Sequence, residues 1–187
     1  MHACAAWRVL DVRLGAATPL ANPLVLDYAL VGVGAMAYAY YLQYYEYLAP
    51  CPLCIFDRVF LLGILISLAI AAIHNPGRKG QRIYASFTFL FTCGGLLSSG
   101  RHVWLQHLPA DQVPSCGPGL NYLLDAFPLG QALEMVFRGS GECAEISWQF
   151  LGFTLPEVTL IMFLAYLILS IIQLFRSSEH KLFPAFE

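Results

Sequence analysis

The chain contains four apolar runs from which Asp, Glu, Lys and Arg are absent. They are Tyr28–Tyr45, Val59–Gly77, Ile83–Gly100 and Val158–Phe175, of 18, 19, 18 and 18 residues in a chain of 187. A helix needs roughly 17–25 residues to cross a bilayer, whereas a soluble protein of this size places charges on the solvent face of its helices. The runs therefore predict an integral membrane protein.

The composition of the runs also predicts that they are helices. Strands of a membrane barrel alternate apolar and polar residues over about ten positions, and these runs are apolar throughout. The first run starts too far from Met1 and lacks a small-residue cleavage site, so we interpret it as a retained span and not as a signal peptide. The predicted fold is an all-α, four-transmembrane-helix bundle that forms one membrane domain over residues 1–187.

The distribution of Lys and Arg predicts the orientation, because positive residues are retained on the cytoplasmic side. Seven of them fall on the side of the termini: Arg8, Arg13, Arg78, Lys79, Arg82, Arg176 and Lys181. Three fall on the other: Arg58, Arg101 and Arg138. We expect tails 1–27 and 176–187 and loop 78–82 to be cytoplasmic, and loops 46–58 and 101–157 to be periplasmic in a bacterial inner membrane. We expect no nucleic-acid partner.

Four of the six cysteines fall on the predicted outer side of the membrane. They are Cys51, Cys54, Cys116 and Cys143. Disulfides form and persist on that oxidising side. Cys4 lies in the inner tail, where it should stay reduced, and Cys93 lies within the third run, where it reads as a small buried apolar residue. Four cysteines allow three pairings, and the sequence alone leaves all three open.

The segment Cys51-Pro52-Leu53-Cys54 is a CxxC pair between the first two runs, and it has three ordinary interpretations. A zinc site would combine it with Cys116 and Cys143 as four tetrahedral thiolates, but these two lie 27 residues apart and form no second close pair. A structural disulfide across CxxC closes a very short loop and gains little from chain entropy. A redox dithiol is the favoured interpretation, and no metal site is expected.

The position of the pair favours redox chemistry. Pro52 is a common first-turn residue, so a helix beginning there places Cys54 in its first turn, where free N–H groups and the dipole favour a thiolate. Arg58 is i+4 from Cys54 and shares its face, so it could steady the thiolate and an anion developing on a bound electron acceptor. The alternative for Arg58 is a snorkelling interfacial arginine. Asp57 would offset part of its charge if it points the same way.

A lipid-soluble quinone is the electron acceptor that fits the remaining features. Haem, flavin and iron–sulfur motifs are absent from the sequence. His102 and Gln106 are i, i+4 neighbours at the outer end of the third run, and they could hydrogen-bond quinone oxygens. The alternative is that both are ordinary interfacial polar residues.

The outer loop of residues 101–157 is too long to be a simple connection. After Pro128, five apolar residues recur on one helical face: Leu129, Ala132, Leu133, Val136 and Phe137. Three polar residues lie opposite: Gln131, Glu134 and Arg138. This pattern predicts a short amphipathic helix in the membrane interface, with packing on the bundle as the alternative.

Several longer segments resemble one known family. They are Cys51-Pro-Leu-Cys54-Ile-Phe-Asp-Arg58, Arg101-His102-Val-Trp-Leu-Gln106, Phe127-Pro-Leu, and Ser140-Gly-Glu-Cys143-Ala-Glu-Ile-Ser-Trp148-Gln-Phe-Leu-Gly152. On these residues the chain resembles DsbB, the bacterial inner-membrane disulfide-bond oxidoreductases, over roughly Tyr28–Phe175. The tail Met1–Pro23 and the C-terminal segment match nothing in the family pattern.

The resemblance implies a thiol relay in which a soluble thioredoxin-like partner, DsbA, delivers electrons and leaves oxidised. The cysteine that matches Cys116 is attacked by the partner to form a mixed disulfide, and the one that matches Cys143 resolves it. Cys51 then exchanges with Cys143, and Cys54 faces the quinone as a thiolate donor.

The same resemblance implies that the acceptor is ubiquinone or menaquinone. Arg58 stands beside the thiolate, and His102 and Gln106 match the family's His and Gln at the end of the third span. Two alternatives remain open: a DsbI-type sibling that serves a dedicated partner, and a non-enzymatic membrane scaffold with two structural disulfides.

Overall fold

The computed structural model describes residues 23–74, 78–109, 111–115, 120–150 and 152–175. Four long helices account for most of these residues. They are α1 (Pro23–Tyr44), α2 (Pro52–His74), α3 (Arg78–Gln106) and α7 (Leu155–Phe175). The Cys4 and Cys116 predictions, and those for residues 1–22 and 176–187, lie outside the described residues.

Three of the described helices, α2, α3 and α7, are long and apolar enough to cross a membrane. Helix α1 has a similar length, 22 residues, but is not one of these three. It carries Asp27 and five tyrosines, which lower its mean hydropathy. The described residues are therefore those of an all-α membrane protein with three candidate spans.

Helix α3 packs against both α2 and α7. The centre of this packing is a cluster of the buried side chains Leu61, Ile64, Phe163 and Tyr166. A Cβ atom on Gly95 would collide with the ring of Phe163, so this glycine allows α3 and α7 to approach closely. Helix α1 joins the cluster through Tyr28, whose carbonyl accepts a hydrogen bond of 2.7 Å from the Tyr166 hydroxyl.

Three buried hydroxyls of α3 are satisfied within the helix. Thr88, Thr92 and Ser99 each donate to the carbonyl four residues earlier, at 3.0, 2.7 and 2.7 Å. This local bond is the usual way in which a helix buries Ser or Thr without leaving a polar group unpaired. It allows the polar residues of α3 to face the other helices.

Helix α3 is longer than the apolar run that predicted it. It begins at Arg78, inside the segment 78–82 predicted as an inner loop, and it ends at Gln106, past Gly100. Helix α1 likewise begins before Tyr28. A helix can continue past the hydrocarbon into the headgroup region, so these helix ends leave the predicted membrane boundaries untested.

The outer segment contains three short helices and a hairpin. The helices are α4 (Leu120–Ala126), α5 (Leu129–Arg138) and α6 (Gly141–Ala144), and the strands are β1 (Gln149–Phe150) and β2 (Phe153–Thr154). The strands pair antiparallel, Gln149 with Thr154 and Phe150 with Phe153. The sequence patterns did not predict this hairpin, because two-residue strands are too short to show alternation.

The hairpin leads directly into α7 through one of the two hydrogen bonds of a capping box. The Thr154 backbone N–H donates to Glu157 Oε2 at 2.7 Å, which satisfies a free donor at the start of the helix. The Thr154 hydroxyl donates to Gln106 Oε1 at 2.9 Å. The end of α3 and the start of α7 are thus joined through one threonine.

The predicted amphipathic segment forms α5, and its inner face packs on the bundle. Ala132 and Val136 are buried against the cluster that contains Cys51 and Cys143. Leu129, on the same predicted apolar face, is 70% exposed. The inner half of this apolar face therefore packs on the bundle, as the alternative interpretation of the sequence had it.

Arg101 of α3 holds the end of α5. Its Nε and Nη2 atoms donate to the carbonyls of Phe137 and Arg138 at 3.1 and 2.7 Å. The guanidinium also lies 4.1 Å from the centre of the Trp104 ring. These contacts fix the segment that leads into α6.

Candidate functional site

Cys51 and Cys54 lie together at the N-terminus of α2. The helix begins at Pro52, which places Cys54 in the first turn as expected. The two sulfurs are 2.9 Å apart, and both residues are free thiols. The Cys54 backbone N–H donates to Cys51 Sγ at 3.3 Å. We had expected the N–H donors at the helix start to stabilise Cys54, but this one serves Cys51.

Cys143 joins this pair from the outer segment. It lies on α6, has no exposed surface, and belongs to the same buried cluster as Cys51, Leu53 and Leu105. The distance in sequence between Cys51 and Cys143 makes this a tertiary contact that the sequence alone could not give. The structure therefore brings three of the four predicted relay cysteines together.

The surroundings of Cys143 stabilise its thiolate. The pKa of Cys143 is lowered from 9.0 to about 6, chiefly because the Cys51 thiol can share its proton with it, and against an opposing effect of burial. The N–H groups of Leu53 and Ser140 add to the lowering, and the Ser140 hydroxyl lies 3.8 Å from the sulfur. The pKa of Cys51 is raised, first by Cys143 and then by Cys54. These opposite shifts favour the proton on Cys51 and the negative charge on Cys143.

His102 is buried beside the cysteines. Its Nε2 atom lies 3.6 Å from Cys51 Sγ, and its Nδ1 atom has no hydrogen-bond partner among the described residues. A quinone-binding role predicted from the spacing of His102 and Gln106 did not include a contact with Cys51. His102 is therefore placed to exchange a proton with Cys51 through Nε2, and its Nδ1 atom is free to hydrogen-bond a molecule in the cavity.

Gln106 has a partner of its own. Its Oε1 atom accepts the hydrogen bond from Thr154, so this side chain holds the hairpin in place. It also lines the same cavity as His102. The i, i+4 spacing brings both side chains to one cavity, although their immediate partners differ.

Arg58 is turned toward α1. Its Nη2 atom donates to the Ala39 carbonyl at 3.1 Å, and its Nη1 atom donates to Gln43 Oε1. The guanidinium lies 5.2 Å from the centre of the Tyr40 ring. Among the described residues no hydrogen bond joins it to Cys54, but both residues line the cavity.

Asp57 does not offset the charge of Arg58 as the sequence had allowed. It is 7% exposed, and no ion pair within the described chain includes it. Its Oδ1 atom has no hydrogen-bond partner among the described residues. Successive helix residues point about 100° apart, which explains how Arg58 can face α1 while its neighbour stays buried.

A cavity of about 460 Å³ opens beside the cysteines. Its polar end is formed by the cysteine pair and neighbouring side chains: Cys51, Cys54, Asp57, Arg58, His102 and Gln106. The remainder is largely apolar and belongs mainly to α1 and α7, for example Val31, Ala35, Met36, Val158 and Met162. A planar molecule with polar oxygens and an apolar tail fits this division.

Sequence reasoning missed part of this cavity wall. Glu142, Glu145 and Trp148 line it from the outer segment, and Tyr38 lines it from α1. The Tyr38 and Trp148 rings meet edge to face, with centroids 5.7 Å apart. The aromatic residues of the segment around Cys143 were the available signal, but nothing local in the sequence indicates which helix they face.

Cys51, Cys54 and His102 also form a cluster with metal-binding geometry. One ligand atom from each lies within 4.8 Å of the other two. The zinc interpretation considered from the sequence used four cysteines and did not include His102. Cys93 lies apart from this cluster on α3 and is half-buried, so it is more accessible than predicted.

Comparison with known proteins assigns the family. Residues 21–173 match the family model described as disulfide bond formation protein DsbB. A protein from Nitrosococcus oceani named disulfide bond formation protein B is 54% identical over 142 residues, which cover 76% of this chain and 84% of the relative. Proteins of the same name from Acinetobacter baylyi and Hahella chejuensis are 52% and 50% identical, covering 79% and 71% of this chain and 86% and 81% of theirs.

These matches span most of the chain and include the segment that carries all three described site cysteines. They agree with the resemblance seen in the sequence and with the three apolar helices of the structure. The chain belongs to the DsbB family of disulfide bond formation proteins, and it is a membrane oxidoreductase that generates disulfide bonds.

Proposed function

We propose that this protein reoxidises a DsbA-like periplasmic thioredoxin-fold protein and passes the electrons through two cysteine pairs to a membrane quinone. One observation carries the proposal: Cys143, Cys51 and Cys54 adjoin one another at the polar end of an apolar cavity. Thiol exchange needs sulfurs in contact, and a lipid-soluble acceptor needs an apolar approach to the last of them.

The burial of Cys143 supports Cys116 as the cysteine that the partner attacks. Cys143 has no exposed surface, so the thiolate of a protein partner cannot reach it directly. Attack on Cys116 of a Cys116–Cys143 disulfide forms a mixed disulfide and releases Cys143 as a thiolate. The lowered pKa of Cys143 makes it a good leaving group in that step.

Cys143 then exchanges with Cys51. Its thiolate attacks Cys51 Sγ of a Cys51–Cys54 disulfide, a new Cys51–Cys143 bond forms, and Cys54 leaves as a thiolate. The contact between Cys143 and Cys51 in one buried cluster supports this order. Cys54, at the cavity wall, is the sulfur that then faces the acceptor.

The cavity residues fit a quinone of the ubiquinone or menaquinone class. A bound quinone would accept two electrons and two protons. Arg58 and His102 offer N–H donors at the polar end, and Gln106 lies beside them. Arg58 is already oriented by Ala39 and Gln43, so binding there would not require ordering a long side chain.

For the membrane placement, we propose four spans, with α1 as the first. The predicted spans are 28–45, 59–77, 83–100 and 158–175, with both termini cytoplasmic and loops 46–58 and 101–157 periplasmic. The exposed apolar side chains of α1 support a lipid-facing position: Leu30, Val31 and Val33 are more than half exposed.

Helix α5 is proposed to lie at the membrane interface as well as on the bundle. Its exposed apolar side chains would then contact lipid headgroups: Leu129, Met135 and Phe137. Its charged pair, Glu134 and Arg138, is solvent-exposed and 3.0 Å apart.

Quinone reduction by the purified protein tests the proposal. The protein is supplied with a reduced DsbA-like dithiol protein and with ubiquinone or menaquinone, and wild type is compared with Cys54→Ser and Cys116→Ser. Wild type should turn over, both variants should be inactive, and Cys93→Ser should match wild type. Turnover with only one dedicated thiol partner would indicate the DsbI-type alternative, and no turnover would favour the scaffold with structural disulfides.

A further inference from the structure

We propose that Asp57 is a proton acceptor for the Cys51–Cys54 pair, a role that rests on the proposed quinone-dependent function. Asp57 lines the cavity that holds both cysteines. It is i+3 from Cys54, and residues at this spacing share one face of a helix. Asp57 would take one of the two protons that the fully reduced pair loses when it is oxidised to the disulfide.

The first argument is that one oxygen of the Asp57 carboxyl is unpaired, although the Ser98 hydroxyl forms a hydrogen bond with this carboxyl. Buried carboxylates normally have hydrogen bonds to both oxygens or a cation beside them. Asp57 Oδ1 has no hydrogen-bond partner among the described residues, and none of the ion pairs within them includes Asp57. A carboxyl with a purely structural role would have both oxygens hydrogen-bonded. The free Oδ1 atom therefore indicates that Asp57 exchanges a proton with a group in the cavity.

The nearest cation is occupied elsewhere. Arg58 adjoins Asp57 in sequence but donates to Ala39 and Gln43 on α1. Burial of a lone carboxylate is costly, whereas the neutral acid is tolerated. Asp57 can therefore alternate between the two forms only when a proton comes from a group in the same cavity.

The groups that surround Asp57 limit the source of that proton. Cys54 lies one turn away on the same helix, and Ser98 of α3 is buried between the helices and donates to the Leu53 carbonyl at 3.4 Å. The titratable or charged residues that line the same cavity are Tyr38, Cys51, Cys54, Arg58, His102, Glu142 and Glu145, and Cys143 is buried behind Cys51. Glu142 and Glu145 are exposed at the outer side of this cavity wall.

Oxidation of the dithiol to a disulfide removes two electrons and two protons, and a quinone takes up two of each on becoming a quinol. In the fully reduced pair Cys54 is a thiol, and not the thiolate that leaves Cys51 in the exchange. Asp57 carboxylate takes the proton of this Cys54 thiol, giving the Cys54 thiolate and the neutral acid, and it returns the proton to the cavity when the acceptor is reduced. His102, 3.6 Å from Cys51 Sγ, is placed to take the second proton from Cys51.

Infrared difference spectroscopy tests Asp57 without any quinone. Quinone-free protein is measured with the Cys51–Cys54 pair oxidised and then reduced by dithiothreitol, in H₂O and in D₂O. Wild type should show the C=O band of a protonated buried carboxyl that changes between the two redox states and shifts in D₂O. Asp57→Asn should lack it, and Asp57→Glu should restore it. A difference spectrum that is the same in wild type and Asp57→Asn overturns the proposal.

Kinetics of the full chain give the second readout. Asp57→Asn should lower kcat for dithiol oxidation about 10²-fold, the loss expected for a positioned acid–base group, and leave the KM for the thiol partner unchanged. Asp57→Glu should recover most of the rate, and Asp125→Asn, at an exposed carboxyl of α4 that does not line the cavity, should match wild type. An unchanged kcat in Asp57→Asn overturns the role of Asp57, whereas an inactive wild type overturns the proposed function and leaves the infrared result to decide on Asp57.

Misfolding of Asp57→Asn is recognised separately. The variant should still bind a short-chain quinone with the affinity of wild type, because Asn has the size of Asp and the other residues of the cavity wall are unchanged. If it binds normally, turns over slowly and lacks the infrared band, the proton role stands. If it binds and turns over like wild type, the role is wrong.

Discussion

His102 Nε2 lies 3.6 Å from Cys51 Sγ, so a buried imidazole and a buried thiol from helices α3 and α2 meet at the centre of the site. Both groups are largely buried: His102 is 3% exposed and Cys51 is 7% exposed, and both line the cavity. His102 is therefore an immediate neighbour that can take a proton released by Cys51. This contact gives His102 a role that its place in the sequence did not indicate.

The His102 contact predicts a kinetic effect. Replacing His102 by Phe keeps the ring volume but removes the nitrogen beside Cys51, and it should slow turnover by about 10²-fold, as loss of a positioned acid–base group does. Turnover is measured with saturating thiol partner. His107→Phe is the matched control, because His107 is exposed and its pair with Glu157, at 3.9 Å, is a surface contact of little energy. Equal rates for both variants would contradict the role of His102.

The lowered pKa of Cys143 predicts a thiol that titrates in the mildly acidic range. In the fully reduced protein, ultraviolet thiolate absorption should fall as the pH drops through about 6, because protonation of Cys143 removes the thiolate below its pKa. Cys143→Ala should abolish this transition. Cys51→Ala should move it to higher pH, since the Cys51 thiol is the main cause of the lowering. A wild type in which no thiol ionises below pH 8 would contradict this assignment.

Gln106 and Thr154 form a pair whose energy can be measured. Their hydrogen bond of 2.9 Å joins α3 to the hairpin, so Gln106→Ala and Thr154→Val should each lower the free energy of unfolding by about 1 kcal/mol. The free energy of unfolding of the double variant should fall by less than the sum of the two single losses, because both changes remove the same hydrogen bond. Unfolding in detergent micelles provides the measurement.

The same pair separates two roles of Gln106. If Gln106 also binds quinone, its variant should raise the KM for quinone while Thr154→Val leaves that KM unchanged. Equal KM values for quinone in both variants would assign Gln106 to holding the hairpin alone.

Arg101 is expected to stabilise the outer segment. Its two hydrogen bonds to the carbonyls at the end of α5 are charge-assisted, and Arg101→Ala should destabilise the protein by about 1–2 kcal/mol and speed proteolysis of residues 129–144. Arg138→Ala is the control, because its pair with Glu134 is exposed and contributes about 0.5 kcal/mol or less. Similar proteolysis rates for both variants would show that Arg101 does not hold this segment.

The parts of the fold that local sequence determines were predictable. The absence of charges over 18 or 19 residues predicted helices where α2, α3 and α7 lie, and the apolar spacing after Pro128 predicted α5. These patterns depend on neighbours within one helix. The hairpin at Gln149–Thr154 escaped prediction, because its pairing depends on four residues and one capping interaction.

The candidate site was predictable in its residue types but not in its contacts. CxxC spacing indicated the redox pair, and the helix start at Pro52 followed from the first-turn preference of proline. Three features of the site depend on how α3 and the outer segment pack on α2. They are the position of Cys143 beside Cys51, the contact of His102 with Cys51, and the orientation of Asp57 away from Arg58. The two contacts of Cys51 join residues 51 and 92 positions apart and leave no local pattern.

The Cys51–Cys143 exchange is the central claim, and trapping it is the most direct test. Cys54→Ser cannot re-form the Cys51–Cys54 disulfide, so a Cys51–Cys143 bond, once formed, should persist. The oxidised variant is alkylated, digested and examined by mass spectrometry for the linked peptides. We predict that the Cys51–Cys143 peptide pair is the main disulfide of this variant. Its absence, with Cys51 recovered as an alkylated thiol, would contradict the relay.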